Sequence, residues 1–179
     1  MIHRAQFEEW APFPLEQVFL FFVNPENLPR IMPSASHTRI ERLNLIPPTA
    51  PTAVTPAITR PLAGVGSEIV TSFRLISLLP LRARWIARVT EFEWNHQFAD
   101  IQEKGPFKSW HHRHEFEQAW REGVSGTVVR DRIEYEIGFG VLGAIAQKLF
   151  VGRQMACTFR HRQRVLESLL RGQGTVSPS

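Results

Sequence analysis

Cysteine is almost missing from this 179-residue chain; Cys157 stands alone. One thiol cannot close an intramolecular disulfide, and no Cys-x-x-Cys pair is present for zinc or thiol redox work. A reducing, cytoplasmic setting is therefore expected. Long hydrophobic runs are missing too. The longest, residues 18–23, is far too short to cross a bilayer. The opening stretch MIHRAQFEEW lacks the apolar segment of a signal peptide and carries acids that a transit peptide avoids, so no integral membrane association is expected. Charge of one sign is scarce as well. Lysine and arginine number 21 against 17 aspartates and glutamates, a formal +4. That excess supports no nucleic-acid role without a local basic patch.

What is present is 43% hydrophobic composition, enough for one sizeable core. Residues 1–171 read as a single domain and 172–179 as a flexible tail. Residues 3–10 alternate as a strand. Pro14 suits the first position of a helix over 15–23, and a second short helix spans 25–32, stopped by Pro33. Residues 37–43 are strand-like. The segment 47–62, rich in proline and threonine, reads as an extended loop insertion without core-forming residues.

Strand patterns then follow over 67–77, 82–94, 97–103, 107–118 and 125–137, separated by hairpin punctuation such as Asn95-His96 and Glu122-Gly123. Apolar residues recur at near-helical spacing over 141–170. The order predicts an α+β fold: about six to seven antiparallel strands, curved around a long C-terminal helix, with two short helices after the first strand. No internal repeat is visible.

The stretch GPFKSWHHRHEF, residues 105–116, holds three histidines. On a strand, Trp110, His112, His114 and Phe116 share one face, while Ser109, His111, Arg113 and Glu115 share the other. In the following strand Thr127, Val129, Asp131, Ile133 and Tyr135 fall together. Adjacency in the preceding hairpin places Phe98, Asp100 and Gln102 on the same inner face. Burying so many polar groups costs about 1–3 kcal/mol for each one left unsatisfied, so an internal network or a solvated cavity is required.

FADIQEKGPFKSWHHRHEF (98–116), GTVVRDRIEYEIGFGVLG (126–143) and NPENLPRIMP (24–33) together resemble the START/Bet v 1-like (SRPBCC) superfamily, in its bacterial polyketide cyclase/dehydrase-like branch. The resemblance covers residues 4–170. It implies a helix-grip fold enclosing a cavity for a lipid, polyketide or similar apolar molecule. Trp85, Phe98, Asp100, Gln102, Trp110, Phe116 and Tyr135 are the candidate ligand-binding residues.

The alternative is a cyclase, aromatase or dehydratase in which His112 or His114 works with Asp131 as an acid/base pair, with Tyr135 or the second histidine stabilising an enolate oxygen. A structural His–Asp bond would look the same in sequence. His-x-His could ligate a metal, with Asp131 as a third ligand, but suits a core face beside Trp110 and Phe116 as well; no metal and no cofactor are expected. The basic stretch FRHRQRVLESLLR, 159–171, is read as a solvated helix face rather than a membrane or acidic-partner surface. A homodimer or a partner enzyme is compatible with this reading.

Overall fold

Among the described residues, seven alternating stretches pair edge to edge into one antiparallel sheet in the order β1-β7-β6-β5-β4-β3-β2. The strands are β1 (Ile2–Ala11), β2 (Arg39–Asn44), β3 (Glu68–Arg74), β4 (Arg82–Glu93), β5 (Gln97–Lys104), β6 (Ser109–Arg121) and β7 (Val124–Glu136). Among the described residues the helices are α1 (Leu15–Val23), α2 (Leu28–Ile31) and α3 (Gly152–Gln173). This computed structural model describes residues 1–49, 61–74, 81–138 and 151–173. Residues 75–77, the first ten residues of the expected C-terminal helix, 141–150, most of the proline-threonine segment and most of the expected tail lie outside the described residues.

Local chemistry accounts for the turns. Pro14 sits one position earlier than expected, as the N-cap of α1, with its carbonyl accepting from the Val18 N–H at 3.1 Å. After α1, the Asn24 side chain accepts from the Glu26 N–H at 3.0 Å and opens a 3-10 turn over Pro25–Asn27. Buried Asn27 then donates to the Phe21 carbonyl at 2.8 Å, which fixes α2 against the end of α1. Glu122 and Gly123, both at positive φ, form the two-residue turn between β6 and β7. In β4 the register against β5 shifts twice, at residues 86–87 and 89–91. Such bulges bend a strand, and here they curve the sheet.

The outer face is a ladder of ion pairs: Arg113 holds Glu91, and Arg130 bridges Glu8 and Glu117. The inner face has two parts. Over one, α1 presents Val18 and Phe19 to Phe98, Phe116 and Val129 in a closed core, with Leu166 and Leu170 of α3. Leu62, at the end of the expected insertion, is buried in the same core. Over the other, Ile133 and Tyr135 pack with Met155 and Phe159 of α3. Phe159 stacks on Phe7 of β1 at 3.9 Å between ring centroids.

Candidate functional site

Strand register assembles the polar cluster. His114 lies opposite Asp131 across β6 and β7, and Asp100 lies opposite His112 across β5 and β6. Period-two alternation then puts Asp100, His112, His114 and Asp131 on one face. Asp131 is fully buried, at 0% exposure.

Its partners come from the last helix as well as the sheet. Nη1 of Arg162 donates to Oδ1 of Asp131 at 3.2 Å, and Nη2 donates to Oδ2. Nε2 of His112 bonds Oδ1 at 2.8 Å. Nδ1 of His114 comes within 2.7 Å of that oxygen but off the direction of a hydrogen bond, so this contact is electrostatic. Burial alone would raise the Asp131 pKa; the Arg162 guanidinium and the two histidines outweigh it and hold the carboxyl well below its usual range. Arg162 is sandwiched between the rings of Phe22 and Phe159, at 5.1 and 4.6 Å.

Behind Arg162 stands Glu9 of β1, only 5% exposed. One of its oxygens is 2.6 Å from Arg162 Nε, yet neither oxygen makes a hydrogen bond of good geometry. Burial pushes its pKa up to about 7, against the pull of Arg162 and with the help of Asp131.

Sequence reasoning misses both residues. It leaves Arg162 on a solvated basic face, and the structure corrects this: Arg162 is 5% exposed and lies on the buried stripe between Phe159 and Leu166. The signals are present in the chain. Glu9 shares the alternation of Phe7 and Ala11 in β1, and a cation on an apolar stripe requires an acid opposite it.

Around this network lies an aromatic wall. Trp85 meets Trp110 edge-on at 5.1 Å and Phe107 at 5.8 Å. Tyr135 is 5.8 Å from Trp110 and 5.6 Å from Phe107, ring to ring. Trp85, Phe107, Trp110, His112 and Asp100 are all half-buried, whereas Tyr135 beneath them is covered. Phe98 and Phe116 are elsewhere, in the closed core against α1, although Phe98 also stacks on His114 at 4.3 Å. The Gln102 amide is engaged at both ends by the Phe107 backbone, at 2.8 and 3.2 Å, and clasps the β5–β6 turn. Burial raises the pKa of Asp100 against His112 and His111 nearby, and burial lowers that of His114 to about 4.

A curved antiparallel sheet gripping a terminal helix, with an inner face part aromatic and part ionic, matches a known family. The family described as polyketide cyclase/dehydrase and lipid transport covers residues 11–164. The chain belongs to this family.

Solved structures share its Bet v 1-like fold. TTHA0849 from Thermus thermophilus is 16% identical, with a TM-score of 0.62 over 97% of this chain and 100% of that one. A major latex-like protein from Panax ginseng is 12% identical, with a TM-score of 0.61 over 94% and 97%. Norcoclaurine synthase from Thalictrum flavum is 13% identical, with a TM-score of 0.60 over 98% of each. At these identities the likeness is one of fold. No curated protein matches the chain in sequence. Among the described residues, no helix is long and apolar enough to cross a membrane. Within this family frame, the Glu9–Arg162–Asp131 chain belongs to the grip itself, since it ties β1 and β7 to the helix they hold.

Proposed function

We propose that this protein binds a hydrophobic small molecule, a lipid, polyketide or similar, against the aromatic half of the inner face, between the sheet and α3. The observation that carries the reading is the contrast between the two halves. The α1 half is filled by Phe19, Phe98 and Phe116, while Trp85, Phe107 and Trp110 stay half-buried around Asp100 and His112. Apolar walls with a few convergent polar groups are what a small-molecule site requires. The lone, exposed Cys157 agrees with a reducing, cytoplasmic setting.

Native mass spectrometry of freshly purified protein, followed by denaturing extraction, tests this. A stoichiometric apolar molecule is expected, and re-adding it should quench tryptophan fluorescence saturably. A chain that takes up no apolar molecule, with fluorescence indifferent to a panel of lipids and polyketides, overturns the reading.

The second reading, a cyclase, aromatase or dehydratase, is favoured by one feature: the raised Asp100 carboxyl opposite His112. In it, those two residues share the proton work. Asp131, paired with Arg162, holds His112 in place. Turnover of the extracted molecule that survives His112→Ala in a folded protein excludes His112 from that role.

A further inference from the structure

Three acceptors converge on the inner face. An oxygen of Asp100 and one ring nitrogen from each of His112 and His114 lie within 4.8 Å of one another. Among the described residues no hydrogen bond or ion pair engages the Asp100 carboxyl. Nε2 of His112 and Nδ1 of His114 both sit within 2.8 Å of Oδ1 of Asp131. An ionised carboxylate only accepts, so the hydrogen bond to Asp131 places the proton of His112 on Nε2. A neutral imidazole has a single N–H. The opposite nitrogen of His112, Nδ1, is left with a lone pair. A carboxylate hydrogen-bonded behind the ring is the arrangement that fixes the tautomer of a metal-ligating histidine.

We propose that Asp100, His112 and His114 bind a first-row divalent ion through a carboxylate oxygen and one nitrogen of each ring, with Asp131 as the outer carboxylate on His112. Two imidazoles and one carboxylate suit Zn²⁺, and three protein ligands leave a fourth position open. Asp100 and Asp131 supply the negative charge beside the ion, and Asp131 shares its charge with the Arg162 guanidinium. The Trp110 ring lies 6.0 Å from His112, so the ion would sit beside the aromatic half. A molecule bound there would present an oxygen donor to the ion, a carbonyl or a phenolate on an apolar frame. The ion site itself does not depend on that molecule.

The full chain, stripped with a chelator, is titrated with Co²⁺ by visible absorption and with Zn²⁺ by equilibrium dialysis and elemental analysis. One ion per chain is expected, with Zn²⁺ displacing Co²⁺. Asp100→Asn removes a ligand and no structural bond. It should keep its circular dichroism and bind at least about tenfold more weakly, while Cys157→Ser binds as the wild type does. A wild-type chain that takes up neither ion leaves only protons between these groups and overturns the proposal. Equal binding by Asp100→Asn assigns the ion to surface residues and overturns it too.

Discussion

At the residue scale the molecule turns on Arg162. It is the cation paired with ionised, buried Asp131 and lies against Glu9, and removing it leaves the Asp131 charge uncompensated. Arg162→Met is expected to cost about 3–5 kcal/mol in urea unfolding, and adding Glu9→Gln and Asp131→Asn should recover part of that loss, because the penalty lies in stranded charge.

Glu9 makes a second, separable prediction. The groups facing it are Arg162 from α3 and Asp131 from β7, and Arg121 and Glu167 line the groove of about 260 Å³ outside. Its folded pKa of about 7 lies above the ordinary 4.5. The folded state thus holds its proton while the unfolded state has lost it, and the stability Glu9 contributes is full below pH 4.5 and lost as pH rises through 7. Urea titrations from pH 4 to 8 should show wild-type stability falling relative to Glu9→Gln by about 3 kcal/mol. Parallel curves for the two proteins would show that Glu9 ionises normally.

At the element scale, the strands were legible because period-two alternation survives wherever one face is buried. Residues 125–137 predicted β7 (Val124–Glu136) nearly to the residue. The inner-face grouping of His112, His114 and Asp131 followed from the same rule. Partners across elements did not follow from it. Arg162 meets Asp131 only once α3 lies in the grip, and a lone arginine among Arg160 and Arg164 has the look of a surface residue. The bulges of β4 were equally invisible, since they depend on pairing with β5.

Close approach of strands was unreadable too. A Cβ on buried Gly126 would come within 2.4 Å of the Ala11 carbonyl in β1, a backbone atom that cannot swing aside. Gly126→Ala is therefore expected to cost about 1–3 kcal/mol and to lower the melting temperature. Gly123→Ala, at φ +78° but with open space around it, should cost only about 1 kcal/mol. The reverse order in thermal melts would mean that β1 can shift away from β7.

At the scale of the whole molecule, one sheet serves two tasks on the same face. The α1 half supplies stability: Phe116 is 3% exposed and touches Phe19, Phe22 and Phe98 ring to ring. The aromatic half supplies surface for a guest, with Trp85 and Trp110 half-buried above a covered Tyr135. The sequence alone grouped Phe98 and Phe116 with Trp110, because alternation specifies a face and not a position along it. What separates them is α1, which lies over one end of the strands only. The division makes the two kinds of aromatic residue experimentally distinct. Phe116→Ala should cost about 3–5 kcal/mol of stability by opening a cavity in a closed core. Trp110→Leu should cost less than half as much, yet weaken binding of the extracted ligand at least about tenfold, a loss of roughly 1.4 kcal/mol or more. If Trp110→Leu destabilised the fold as severely as Phe116→Ala and left ligand affinity intact, the aromatic half would be core as well, and the binding surface would have to lie elsewhere on the protein.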